Sequence, residues 1–335
     1  MKSIIKLSAV VIALSVSAFA MAQDEYSVPI SQIRCSDPFI LANAADSTYY
    51  MYSTGGGGRV MGRASKDLQN WTVPFVVFQF TPEHWAGERA ASWASEVHMY
   101  KGKYYLFTTS HSSEIIESIP DRYEIPHRAT QIYVADSPRG PFKDFTGNKA
   151  HTPDDWASLD GTFWVENGVP YMIFCHEWLQ CVDGTMELVR LPDDMSVPQE
   201  KPRTLFKASE AKWSAEMNAV QNKTYGLQLG GNVTDGPFIF RTGTGRLGML
   251  WSSWNAHDMY AIGVAYSATG SIQGPWIQED KPVFKDNGGH GMLFHTFDGK
   301  LKLCMHWVDP KDERPSRKPV LLDVDISTDR LILIP

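Results

Sequence analysis

Five stretches of this chain open alike, with a charged or histidine head, a short apolar run, a turn and then an aromatic-rich strand. The heads are Asp37, Glu96, Asp160, Asp235 and His290, a repeat of roughly 55 to 75 residues. A repeat of that length restricts the architecture severely. Each unit is one supersecondary block that cannot bury its faces alone, so the blocks must pack on one another. Five such blocks around an axis make five blades. If each head starts the innermost strand of its blade, the five heads gather at one end of the axis, and four of them are carboxylates.

The rest of each unit agrees. Lys101-Gly102, Asn167-Gly168 and Asp298-Gly299 are turns that lead into second strands at Tyr104, Tyr171 and Leu301, with β-rich flanks on both sides. Third strands follow near Val60, Gln131, Met186, Ala261 and Pro319. Turns such as Ser137-Pro138-Arg139-Gly140-Pro141 then precede an outer strand, because Gly and Pro supply turn angles and stop a helix. Leu331-Ile332-Leu333-Ile334 closes the last unit without help from the other terminus. The pattern predicts an all-β fold, a five-bladed β-propeller with four-stranded antiparallel blades. Three long interruptions, residues 81–92, 112–129 and 206–229, are expected to build the binding face.

Residues 1–22 read as a signal peptide: Lys2 and Lys6 precede an apolar run, and Ala20-Met21-Ala22 supplies small residues for cleavage. The apolar run falls short of the ~20 residues that span a bilayer. A single propeller domain over residues 23–335, periplasmic or secreted and not inserted in the membrane, is the expectation. With 43% hydrophobic residues and a net charge of −7, the composition is that of a soluble globular protein, and its acidic balance argues against nucleic acid as a partner. Cys175 and Cys181 are near enough in sequence for a short disulfide loop, and four buried thiols are the alternative.

Asp37-Pro38-Phe39, Trp93-Ala94-Ser95-Glu96-Val97-His98, Leu159-Asp160-Gly161-Thr162, Thr234-Asp235-Gly236-Pro237 and Gly289-His290-Gly291, in this order, resemble family 43 of the glycoside hydrolases. The resemblance covers nearly all of the mature chain. It implies a five-bladed propeller that removes terminal α-L-arabinofuranosyl or β-D-xylosyl residues from plant-type polysaccharides or oligosaccharides, with inversion. Inverting hydrolysis needs one ionised carboxylate to activate water and one protonated carboxyl to donate to the leaving oxygen. The resemblance implies that Asp37 is the base, that Asp235 stands at the acid's position and that Asp160 raises the acid's pKa and orients it. Crowding these three around one pocket would keep one of them protonated. Taken singly, each Asp before Gly or Pro is also an ordinary turn residue.

One departure stands out. The family's acid is normally Glu, and Asp235 is shorter by roughly the ~1.5 Å of one carbon–carbon bond. Either Asp235 serves in an adjusted pocket, or Glu216 or Glu210 reaches in from the long loop, or the protein is a non-catalytic carbohydrate-binding propeller. The resemblance also implies that Trp93 and Glu96 line the sugar pocket, and by the same reasoning Phe39, His176, Glu177 and Trp178 are substrate contacts. It places His290 near the channel centre beside a metal ion, often calcium. Calcium prefers six to eight oxygens, so contact with this imidazole would run through water, and the reaction itself requires no cofactor. Gly55-Gly56-Gly57-Gly58 lacks the Lys-Ser/Thr of a phosphate loop and reads as a hairpin tip. Ser110-His111-Ser112 lacks a nucleophile elbow, and Arg34 and Arg314 read as surface positions or substrate contacts.

Overall fold

The computed structural model describes residues 25–119, 124–217, 230–312 and 315–334. The expected signal peptide, residues 218–229 of the third long interruption, and Arg314 lie outside the described residues. The described residues form five antiparallel sheets in a ring, a five-bladed propeller. The third blade is Ser158–Glu166, Val169–His176, Thr185–Arg190 and Arg203–Lys207, and the fourth is Asp235–Arg241, Leu247–Trp254, Tyr260–Ser267 and Trp276–Gln278. The fifth runs from Gly288–His295 through Leu301–Val308 and Arg317–Asp325 to Ile332–Leu333 and is complete in itself. Two blades vary the plan. The first, built on Phe39–Asn43, Thr48–Tyr52 and Arg59–Ser65, gains extra edge strands, including the N-terminal Val28–Pro29. In the second the outer strand shrinks to the bridge between Val134 and Lys143 beside Ala91–Tyr100, Lys103–Ser118 and Glu124–Ala135.

Of residues 112–129, expected as a loop, the described ones are instead mostly strand. Lys103–Ser118 and Glu124–Ala135 continue as one long hairpin, with Ile115 opposite Pro126 and Glu117 opposite Ile125 across two register shifts. Isoleucines spaced among polar residues suit a half-buried ribbon, and the bulges bend it. Ile116 packs against the cluster of Trp178, Leu179, Met217 and Val233 at the rim of the ring.

The core lies between neighbouring blades. Because each sheet is covered on both faces, inner strands read as continuous apolar runs, and Thr48–Tyr52 is buried at every position. Trp251 of the fourth blade is fully buried, with ring centroids 5.4 Å from Phe206 of the third blade and 4.6 Å from Trp213. Truncating such a residue to Ala costs about 3–5 kcal/mol. All four cysteines are free. Cys175 points into the third blade's core beside Met186, while the Cys181 thiol turns back on the His176 and Glu177 carbonyls, so of the two alternatives this pair stays as free thiols.

One backbone device repeats at the axis. The innermost strands of blades two to five each slip register at their start, between Trp93 and Glu96, Leu159 and Thr162, Asp235 and Phe238, and Gly289 and Met292. Inside each slip sits a left-handed residue: Ala94 (φ 45°), Asp160 (φ 58°), Gly236 (φ 51°) and His290 (φ 55°). Asp37 (φ 55°) holds the same place just before Phe39 in the first blade. A bulge of this kind re-aims a side chain out of the sheet. The structurally equivalent heads are therefore Asp37, Ala94, Asp160, Gly236 and His290. Glu96 falls two residues later, level with Phe39, Thr162, Phe238 and Met292, and Asp235 falls one residue earlier, level with Trp93, Leu159 and Gly289.

Candidate active site

Above the ring of heads opens a cavity of about 470 Å³. Asp160 and His290 come from the bulges, Asp37 from the matching place in the first blade, and Trp93, Leu159 and Asp235 from the residues just before the left-handed positions. Asp37 is held from three sides. The Thr54 hydroxyl donates to Oδ2, and Thr54 Oγ1 in turn accepts the Ala94 amide at 2.9 Å. His306 Nδ1 sits 3.2 Å from the Asp37 amide nitrogen and 3.1 Å from Oδ1, and His290 Nδ1 lies 3.4 Å from the same oxygen. Burial alone would lift the Asp37 pKa, but His290, His306 and Thr54 outweigh it and hold the carboxyl well below the usual carboxylate range.

The other two carboxyls are driven the opposite way. Burial, then the charge of Asp37, pushes Asp160 well above the ordinary value, opposed by the Gly236 amide that donates to Oδ2 at 2.9 Å. Burial, then Asp160, does the same to Asp235, opposed by the Tyr260 hydroxyl that donates to Oδ2 at 2.8 Å. The cluster thus favours ionisation of Asp37 and opposes it at Asp160 and Asp235. Asp160 also holds the backbone next to Asp235. Gly236 is required there, because a Cβ at that left-handed position would lie 2.8 Å from the His290 ring.

The site residues expected from the sequence divide accordingly. Asp37, Asp160, Asp235, Trp93, Glu177, Trp178 and His290 all stand in the cavity wall. Phe39, Glu96 and His176 do not. Phe39 is buried one layer below, 5.0 Å from the His98 ring and 6.5 Å from Phe238. Glu96, in the same layer, accepts from Thr162 Oγ1 at 2.7 Å and bonds His98 at 2.8 Å. His176 stacks on Trp156 at 4.1 Å and bonds Gln180. Glu210 and Glu216 are exposed and outside the wall. Trp93 has the Arg128 guanidinium over its ring at 4.7 Å and His111 against it edge-on, which occupies part of the surface expected to stack on sugar.

Thr54, Arg128, Tyr260 and His306 were not anticipated. Tyr260 stacks on His306 with 4° between the ring planes and braces both Asp235 and Asp37's partner. Both come from later strands with no motif around them. A signal was available only for His306, a lone buried histidine in the apolar run Leu303–Trp307.

The Nδ1 of His290 faces Asp37 and Asp160, at 3.4 and 3.7 Å, and among the described residues no group of three or more His, Cys, Asp or Glu is placed to hold a metal ion. Nor is any helix among the described residues long and apolar enough to cross a membrane.

The axial pocket of the propeller thus sets one depressed carboxyl against two raised ones. The model for "Glycosyl hydrolases family 43" matches residues 26–332, and the chain belongs to that family. Among solved structures it is similar to an endo-arabinase from Bacteroides thetaiotaomicron VPI-5482, with 37% identity, a TM-score of 0.78, and coverage of 90% of this chain and 98% of that one. It is also 24% identical, over 84% of its length, to an extracellular exo-α-(1→5)-L-arabinofuranosidase of Streptomyces avermitilis, of which it spans only 56%. A probable arabinan endo-1,5-α-L-arabinosidase C of Aspergillus niger is 24% identical over 77% of this chain and 73% of that one.

Proposed function

We propose that this protein hydrolyses α-L-arabinofuranosidic bonds of arabinan-type polysaccharides or oligosaccharides by single-displacement inversion. The observation that carries this is the placement of the axial carboxyls, with Asp37 held between Thr54, His290 and His306, and Asp235 buried against Tyr260, which drives their ionisation in opposite directions. Ionised Asp37 takes a proton from the water that attacks the anomeric carbon, and protonated Asp235 gives its proton to the departing glycosidic oxygen. Tyr260 donates to Oδ2 of Asp235, which leaves Oδ1 to carry that proton. Burial, and then any charge on Asp160, opposes ionisation of Asp235, and Asp160 fixes its backbone through Gly236. The exposure of Glu210 and Glu216 favours Asp235 over either as the acid. Arabinose rather than xylose is favoured by the names of the related proteins. Residues 1–22 and the extracellular Streptomyces relative support export. Any calcium near His290 would be held through water and takes no part in these steps.

Binding without turnover is the second reading, and the shortened Asp235 favours it, since a shift of about 1 Å can cost ~100-fold in rate. The test is hydrolysis of linear arabinan and of aryl α-L-arabinofuranosides, with the first-formed anomer followed by NMR. Turnover with inversion, abolished in Asp37→Asn, is expected. Asp235→Glu should keep or raise the rate. Sugar binding with no hydrolysis in either the parent protein or Asp235→Glu would establish the binding protein instead.

A further inference from the structure

Arg128 and Glu177 form an ion pair in the cavity wall, and both side chains are more than nine-tenths buried. The pair is only half satisfied. Arg128 Nη1 donates to Glu177 Oε1, while Arg128 Nε and Glu177 Oε2 are buried with no hydrogen-bond partner. A buried pair kept for stability alone should satisfy both forks, since replacing one by apolar residues is often neutral and an unpaired buried polar atom costs about 1–3 kcal/mol. Here one donor and one acceptor are left over beside the carboxyls that flank the reacting bond. Two hydroxyls of a sugar ring offer the complement, one accepting and one donating. The pair is also fixed in place: Arg128 lies over the Trp93 ring at 4.7 Å, and the Glu177 amide is bonded to the Ala157 carbonyl at 2.8 Å.

We propose that Arg128 and Glu177 are the specificity-determining pair of the glycone site, Arg128 donating to one ring hydroxyl and Glu177 accepting from another. This rests on the arabinofuranosidase reading and names the residues that recognise the sugar. It also gives a specific partner, Arg128, to the substrate contact that the sequence suggested at Glu177. Arg128 cannot be replaced by Lys without loss, because an ammonium lacks the planar fork that serves carboxylate and ligand together.

The experiment compares 4-nitrophenyl α-L-arabinofuranoside with its analogues deoxygenated singly at O2, O3 and O5, in the parent protein, Glu177→Gln and Arg128→Lys. Hydrogen bonds to charged groups predict that the parent loses about 10- to 100-fold in kcat/KM on at least one deoxy analogue. Glu177→Gln should lose a similar factor on the full sugar and little more on that analogue. Equal losses on every analogue, or a lowered Tm with the discrimination unchanged, would mean a purely structural ion pair and overturn the proposal. If the parent protein hydrolyses no arabinofuranoside, it is the activity that fails. The pair is then tested by calorimetry with arabinotriose, where equal affinities of the parent and Glu177→Gln would overturn it.

Discussion

In the third blade the bulge at the head of the inner strand carries Asp160, with Thr162 paired beneath it, whereas in the second blade the same two places carry Ala94 and Glu96. The backbones match and each blade offers one acid. Yet Asp160 faces the cavity, where burial and Asp37 push its pKa up, while Glu96 is closed off by His98 and Thr162. Position relative to the bulge, not residue type, decides which acid reaches the axis. The fourth blade teaches the same from the other side. Its Asp235 precedes the bulge glycine and joins the wall beside the ring of heads, at the level of Trp93.

The strongest test of that contrast removes the two acids in turn. Asp160→Asn should lower kcat on aryl arabinofuranosides by about 10²- to 10⁴-fold, the range for a group that governs acid catalysis, whereas Glu96→Gln should change kcat only a few-fold. Glu96→Gln should show itself in Tm instead, since it weakens two buried hydrogen bonds worth roughly 1 kcal/mol each. Comparable kinetic losses in both variants would break the distinction between the two layers.

Next in size is Gly236→Ala. The added Cβ would meet the His290 ring at 2.8 Å, so either His290 or the Asp235 strand must shift. A displacement near 1 Å at the acid predicts a loss of about 100-fold in kcat, with KM much less affected. An unchanged kcat would show that Asp235 is not positioned through this backbone.

Titration separates the carboxyls by sign. Asp37, whose folded pKa lies below its unfolded value, contributes stability above about pH 4 that is lost as pH falls through its folded pKa. Asp160, whose folded pKa is raised, contributes fully below about pH 4 and loses that contribution as pH rises. Asp37→Asn should therefore lower Tm at pH 7, while Asp160→Asn should raise it, and the Asp160→Asn gain should vanish near pH 4. Thermal melts across pH 3.5 to 8 measure both, and a rise in Tm for Asp37→Asn at pH 7 would contradict the assignment.

Much of this was legible in the sequence because propeller blades repeat. Strand, turn and strand recur five times, and Asp37, Asp160 and His290 announce themselves as polar heads before Pro or Gly. Glu96 reads as a head when charge rather than backbone is aligned, and a bulge leaves no charge signature. The pairs Trp93-Ala94, Leu159-Asp160, Asp235-Gly236 and Gly289-His290 align correctly only once the register slips are known. Arg128 carries no signal in the sequence, because its ribbon reads as loop, its polar residues interrupting the alternation that marks a strand. Tyr260 and His306 reach the site from the third and second strands of neighbouring blades, a closeness created only when the ring forms.

The smallest effect belongs to Ala94, and it isolates the backbone from the chemistry. Ala94 holds a left-handed conformation that costs a side chain about 1–2 kcal/mol, while glycine adopts it freely but loses more entropy on folding. Those terms oppose each other, so Ala94→Gly should stabilise the protein by at most about 1 kcal/mol. The Ala94 amide that supports Thr54, and through it Asp37, is untouched by the change. Activity should accordingly stay within about two-fold of the parent, a far smaller effect than any acid–base group produces. A large fall in kcat would mean that the Ala94 methyl itself helps to hold the base, and the second blade would then contribute to catalysis through its small residue as well as its amide.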